Sequence, residues 1–356
     1  MKQRLRALKK TMRREGISAF AVTNRKNLHY LTGFTGSAGA CLISRRSAVF
    51  ITDFRYRSQA AKQVPPDFRR AEHPSPVQGI AKELKKTRAK ALAFEETHLT
   101  HGVFRQLRKL TRGVRLKPVS GLVEALRLCK DPGEIRKLKS GARVNGQALT
   151  ETTESIRPGR AESDIALDLE TAMRRKGASG ASFDTIVASG PRSALPHGIA
   201  SSRKLKKGDL ITIDFGAVMS GYHADTTRVF SLGEPSPKGE KIYNIVLEAQ
   251  MTALEAVRPG IRCGDVDKAA RDVIAAYGYG EAFGHGTGHG VGLDIHEAPR
   301  LGPGVKEELK PGMVVTVEPG IYLPRWGGVR IEDMVLVTER GKEILTRSIP
   351  KELVVL

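Results

Sequence analysis

The stretch DLITIDFGAVMSGYHADTTRVF, residues 209–230, constrains this chain more than any other. Two β-rich runs of alternating apolar residues flank Met219-Ser220-Gly221, the pattern of a hairpin, and each run carries one carboxylate inside it, Asp214 or Asp225. The two positions are symmetric about 219.5, within the turn, so a simple register places them opposite or nearly opposite. Their Cβ atoms would then lie about 4.5 to 5.5 Å apart. Carboxylates so close repel unless a cation lies between them. Either the pair holds a cation, or one Asp is solvated and the other belongs to the turn.

The same arithmetic recurs in MVVTVEPGIYLPRWGGVRIEDMVLV, residues 313–337, where Glu318 and Glu332 are symmetric about Arg325 in the Pro324–Gly328 turn region. Both acids sit in apolar strands, where an unpaired carboxylate is expensive. A shared cation or salt bridges to Arg325 or Arg330 would satisfy them. A third segment, FGHGTGHGVGLDIHE, sets five glycines among His285, His289 and His296. So much glycine argues against a helix. In an extended chain His285, Thr287 and His289 share one face, which points two imidazoles into a common space. His197, in LPHGIA, is a further candidate. For each histidine a structural role is the alternative.

Two Asp, two Glu and one His make a hard oxygen and nitrogen set, suited to Mn²⁺, Co²⁺ or Zn²⁺ and unlike the sulfur-rich sites of structural zinc. A paired centre, with two divalent ions about 3.5 to 4 Å apart, would offset four carboxylates, activate a water and polarise a carbonyl. That is machinery for metal-assisted hydrolysis. The remaining histidines would bind substrate, shuttle protons or stabilise a tetrahedral intermediate.

The surrounding chain indicates two domains. Its 356 residues exceed one domain at roughly 150 residues each. The net charge of +21 is distributed unevenly: residues 1–130 hold 29 Lys+Arg against 8 Asp+Glu, and residues 131–356 hold 30 against 30. This break places a boundary near 121–133, giving a basic domain 1–125 and a neutral domain 126–356. Leu5, Leu8 and Met12 predict an opening amphipathic helix, and ISAFAVTN, ACLISRRSAVFITD and AKALAFEE predict strands separated by the helical patterns YRSQAAKQV and VFRQLRKL. The first domain reads as α/β. In the second, helices are expected from Asp131, from Ser163 to Gly177 and from Lys238 to Val257, with hairpins between and after them, so it reads as α+β. No tandem repeat is visible. The absence of an 18-residue apolar window, the basic opening residues, and three scattered cysteines (Cys41, Cys129, Cys263) lead to the expectation of a reducing cytoplasm and no membrane.

The ordered set Asp214, Asp225, His289, Glu318, Glu332 resembles the dinuclear metallopeptidases that include prolidase and aminopeptidase P. The likeness extends to NLHYLTGFTGSAG and ITDFRYRSQA, similar to the creatinase-type amino-terminal domain of that family, and to LRLCKDPGEIRKLKSGARV, similar to its interdomain helix. The resemblance implies a pita-bread catalytic domain and cleavage of the bond between an N-terminal residue and proline. By the same matching Asp214 would chelate one metal, Asp225 and Glu332 would bridge two, and His289 with Glu318 would complete the other shell. Glu318 would also shuttle the proton. His197, His285 and His296 would position substrate and stabilise the transition state. Arg330 would support a metal-binding carboxylate, and Arg300 would anchor the carboxylate of a dipeptide. Proline-containing peptides are the implied substrates and a homodimer the implied assembly. Two other readings stand beside this one: a non-catalytic module binding nucleic acid or protein, and a creatinase-like amidinohydrolase without metal. The basic domain is either a solvated surface or one that steers acidic peptides or binds RNA.

Overall fold

Helix α1 (Lys2–Arg14) forms where the apolar spacing places it, burying Leu5, Leu8 and Met12 on one face. In the computed structural model, which describes residues 1–356, it opens the first of two units, Met1–Arg127 and Leu128–Leu356. The first unit is α/β. Its strands are β1 (Ala19–Val22), β2 (Ala40–Ser44), β3 (Ala48–Thr52), β4 (Arg69–Glu72), β5 (Ala91–Glu95) and β6 (Arg115–Val119). They form one sheet in the order β4-β3-β2-β1-β5-β6. β1 pairs antiparallel with β2 and β2 with β3, whereas β1–β5, β5–β6 and β3–β4 are parallel. The helices are α2 (Arg25–Thr32), α3 (Arg57–Gln63), α4 (Pro76–Thr87), α5 (His101–Leu110) and the short α6 (Glu124–Arg127). The central strands β1, β2 and β3 are buried throughout. β4 and β6 are the edges; β4 (Arg-Arg-Ala-Glu) carries no apolar alternation, and β6 (Arg-Leu-Lys-Pro-Val) is too short and too exposed for its pattern to stand out.

The second unit is α+β. Helix α7 (Pro132–Thr153) starts at a capping box: the Asp131 carboxylate accepts from the amides of Gly133 and Glu134 at 2.8 and 2.9 Å, and the Glu134 carboxylate accepts from the Asp131 amide at 3.0 Å. Then follow α8 (Glu162–Arg175), β7 (Ile186–Ser189), β8 (Leu210–Phe215), β9 (Val218–Met219), β10 (Tyr222–His223) and β11 (Thr226–Ser231). Helices α9 (Pro237–Ala256) and α10 (Cys263–Ala276) precede β12 (Gly288–Gly290), β13 (Glu297–Leu301), β14 (Val314–Val317), β15 (Gly320–Leu323), β16 (Gly327–Arg330), β17 (Asp333–Thr338), β18 (Gly341–Ile344) and β19 (Val354–Val355). One sheet has the order β19-β11-β8-β7 and another β13-β12-β14-β17-β18. Ala148, Leu149, Ile165 and Leu169 of α7 and α8 pack on Ile211, Ile213 and Phe215. Val246, Ala249, Val266 and Ala270 of α9 and α10 share a core with Val315, Val317, Val335 and Val337. No helix is long and apolar enough to cross a membrane.

Candidate metal centre

The first hairpin turns at Ser220 and Gly221, both with left-handed backbone (φ 51° and 82°), as a two-residue hairpin loop of the primed type requires. This moves the axis of the ladder one residue beyond the symmetric expectation. Asp214 faces Thr227 across β8 and β11 rather than Asp225. Asp225 lies two residues before Thr227 and so occupies a diagonal position on the same face, still within side-chain reach.

The second hairpin keeps the expected register. Val317 faces Asp333 and Gly320 faces Arg330, so Glu318 and Glu332 lie directly opposite between the two ladders. At these two residues the chain turns to other partners: the Glu318 amide donates to the Thr287 carbonyl at 2.8 Å and the Glu332 amide to the Thr227 carbonyl at 3.2 Å. The break in the second hairpin thus ties together the first hairpin and the glycine-rich segment.

That segment is regular only from Gly288. A Cβ on Gly288 would lie 2.0 Å from the Thr316 carbonyl oxygen, and one on Gly290 would lie 2.2 Å from that of Ala298, so close backbone approach explains part of the glycine run. Thr287 departs from the face expected for it. Its amide and hydroxyl both donate to Asp267 of α10 at 2.9 Å, because the chain has not yet become a strand there. Arg271, one turn on, pairs with Asp267 and donates to the carbonyls of Phe283 and His285. This pair clamps the approach to the histidines.

The side chains converge. Nitrogen Nδ1 of His289 lies 3.1 Å from the Gly290 carbonyl, which assigns the proton there and turns Nε2 toward Glu318 Oε1 (3.2 Å) and Asp225 Oδ2 (3.6 Å). Donor atoms of Asp225, His289 and Glu332 all lie within 4.8 Å of one another. Arg330, itself buried, donates to Asp214 Oδ2 at 2.6 Å and to the Tyr322 hydroxyl at 2.8 Å. That hydroxyl lies 2.9 Å from His285 Nε2. Thr227 donates to Glu332 Oε2 at 2.8 Å. The second oxygens, Asp214 Oδ1 and Glu332 Oε1, are buried with no hydrogen-bond partner. Two orphaned carboxylate oxygens among hard donors fit divalent cations.

Electrostatics agree with that fit. Burial first, and neighbouring carboxylates second, push Asp225 and Glu332 well above the ordinary carboxylate range. Burial also raises Asp214, although Arg330 opposes it. Burial would raise Glu318 too, but the hydrogen bond and charge of His289 hold it at about 2. Burial would lower His289, but Glu318 and Asp225 bring it to about 9. Protein groups alone therefore leave the four acids unevenly compensated.

These residues line one wall of a cavity of about 950 Å³. His197, His285, His296 and Arg300 line the same cavity, with Phe183, Ile186 and Ile199 as apolar wall. His296 stacks edge-on against His289 with centroids 4.4 Å apart, and His296, His197 and Arg300 are all exposed. Thr227, Tyr322, Asp267, Arg271 and Thr316, which supports His289 and Glu318, were not singled out by sequence. Strand parity could have found two of them: Thr227 shares a face with Asp225, and Tyr322 with Glu318. Asp267 and Arg271 look like any surface pair one turn apart.

This fold, with acids and histidines gathered on one wall of a cavity, defines a metallohydrolase. The chain belongs to metallopeptidase family M24: residues 136–339 match that family and residues 4–129 match the creatinase/prolidase N-terminal domain. It is 45% identical to an uncharacterised peptidase of Bacillus subtilis, YqhT, over 96% of each chain. Among solved structures it is similar to an Xaa-Pro dipeptidase from Bacillus anthracis, with a TM-score of 0.97, 45% identity and 99% of each chain covered. An X-Pro aminopeptidase from Thermotoga maritima matches with a TM-score of 0.90 and 41% identity over 96% of this chain and 98% of that one. The two units are thus the creatinase-type domain and the pita-bread domain expected from the sequence.

Proposed function

We propose that this metallopeptidase is an exopeptidase that hydrolyses the bond between an N-terminal residue and proline. The observation that carries the reading is the meeting of Asp214, Asp225, Glu318, Glu332 and His289 in one cavity, with two carboxylate oxygens left unpartnered. These five residues would hold two divalent ions, with Mn²⁺ the ion proposed and Co²⁺ or Zn²⁺ accepted by the same donors. Such ions supply Lewis acidity to an attacking water and to the scissile carbonyl.

The chain's own groups do the rest. Glu318 takes a proton from the water and delivers it to the leaving proline nitrogen, a nitrogen that carries no hydrogen in the substrate. His197 and His296 line the cavity and stabilise the oxyanion as charge develops. His285 is fixed by its contacts with Tyr322 and the Gly286 carbonyl, and orients the substrate. Arg330 holds Asp214 in place. Arg300, exposed on β13 opposite His289, is the proposed anchor for a substrate carboxylate. Three free cysteines support a reducing cytoplasm as the compartment. Family and site lend no support to a non-catalytic module or to a metal-free amidinohydrolase.

The test is hydrolysis of Xaa-Pro and Xaa-Pro-Yaa peptides by chelator-stripped protein with Mn²⁺ restored, beside Asp225→Asn. Metal-dependent cleavage, lost by at least about a thousandfold in the variant, is expected. Cleavage confined to the dipeptide assigns Arg300 its role; cleavage of the longer peptide removes it. Folded protein that cleaves neither with metal restored would overturn the reading.

A further inference from the structure

The metal centre uses none of the +21 charge carried by residues 1–130. Topology decides where that charge lies. β1, β3, β4, β5 and β6 run in one direction and β2 in the other, so the starts of five strands and the end of β2 form one edge of the sheet. Arg13 and Arg14 end α1 ahead of β1, Arg45 and Arg46 form the β2–β3 turn, and Arg69 and Arg70 open β4. On the other side of β1, Lys85, Lys86 and Arg88 close α4 ahead of β5. Arg108, Lys109 and Arg112 do the same between α5 and β6. All are exposed.

Five of the unit's eight acids (Asp53, Glu72, Glu95, Glu96, Glu124) close or follow strands at the opposite edge. Of the remaining three, Glu15 is taken by Arg14, Glu83, buried, pairs with Arg69 and Lys86, and Asp67 lies exposed just ahead of β4 at the basic edge itself. Helix C-termini favour cations through the backbone dipole, which accounts for the bases ending α1, α4 and α5. It does not account for Arg45 and Arg46 in a turn or Arg69 and Arg70 in a strand. Apart from the pairs that Glu83 makes with Arg69 and Lys86, the clustered like charges repel and do not favour folding.

Six strands at a spacing of about 4.8 Å make an edge roughly 24 Å long. A nucleic-acid strand presents a phosphate about every 3.4 Å of duplex axis, so the edge spans roughly seven base steps. The exposed large apolar residues of this unit, Met1 and Phe54, lie elsewhere, so the edge offers no stacking platform for bases. We propose that this edge binds a nucleic-acid backbone without sequence preference, as a property of the enzyme additional to its peptidase site.

The test is fluorescence anisotropy of a labelled 20-bp DNA duplex of mixed sequence with the full chain, from about 50 to 200 mM salt. The expected logarithmic slope is about −3.6 or steeper, four or more contacts at about 0.9 each. The variant Arg45→Gln/Arg46→Gln/Lys85→Gln/Arg88→Gln should bind at least about tenfold more weakly at low salt, with a slope shallower by about 3.6. A control removing as many charges toward the opposite edge, Lys2→Gln/Arg6→Gln/Arg25→Gln/Arg55→Gln, should bind like the parent. Both variants should retain Xaa-Pro hydrolysis, which reports folding. No binding by the parent at low salt, or equal losses in the two variants, would overturn the proposal. So would preference for phosphatidylserine vesicles over the duplex at equal salt.

Discussion

Glu332 and Asp333 are adjacent, and strand alternation sends them to opposite faces. Glu332 lines the metal-centre cavity. Asp333 enters the core, where it accepts from Arg228 at 2.8 Å, Thr346 at 2.7 Å and Gln250 at 2.9 Å and pairs with Lys351 at 2.9 Å. Asp333→Ala would leave the Arg228 guanidinium buried without its charge partner. Breaking a buried pair this way costs about 3 to 5 kcal/mol, and urea denaturation should show that loss. A loss below about 1 kcal/mol would mean that the carbonyls of Glu332, Ile349 and Pro350, which Arg228 also contacts, suffice alone. At this scale the sequence revealed acids trapped in apolar runs but not what they meet, because Arg228, Gln250 and Lys351 belong to distant segments. Strand parity places Tyr322 on the face of Glu318 but does not reveal what it meets. Its role depends on His285 arriving from the loop before β12 and Arg330 from the facing strand β16.

Elements were legible where pattern and packing coincide. The second hairpin obeys its symmetric register because a three-residue loop, Pro324–Trp326, centres on Arg325. The first is offset because Ser220 and Gly221 alone make the turn, which no count between two acids reveals. The glycine-rich segment gave its backbone demands before its geometry. Gly288→Ala would force β12 away from β14 and displace His289; a loss of about 1 to 3 kcal/mol in stability, together with weakened metal binding by calorimetry, is expected. Unchanged metal affinity would show that His289 is positioned from elsewhere. The edge strand β4 was missed because its residues are mostly polar, and it is held instead by charge: Glu83 of α4 takes Arg69. Burial would raise Glu83, but its hydrogen bonds to Lys86 and Arg69 hold it below the usual carboxylate range. A depressed folded-state pKa contributes stability that is present above the unfolded value, about 4.3, and lost as pH falls through the folded value. Glu83→Gln should therefore lower Tm by about 4 °C at neutral pH, with the difference closing below about pH 4. A constant difference down to about pH 3 would remove the carboxylate from the explanation.

The second unit repeats an arrangement that its sequence does not. A helix pair, α7 and α8, precedes the ladder of β7, β8 and β11, and a second pair, α9 and α10, precedes that of β12, β14 and β17. Each ladder brings carboxylates to the cavity, and the amides of Glu318 and Glu332 bind the pieces at the breaks. Residue identity within each half follows its own packing, so the repetition survives in topology without a repeated motif. The change in charge near residue 130 was legible as a division of the chain, whereas its concentration on one sheet edge required the strand order. We propose that five side chains from three segments hold two divalent ions. The most direct measurement is metal stoichiometry of chelator-stripped, refilled protein by elemental analysis, beside Asp225→Asn. About two Mn²⁺ per chain are expected, with loss of at least one in the folded variant. One ion or none in the parent, or an undiminished pair in the variant, would contradict it.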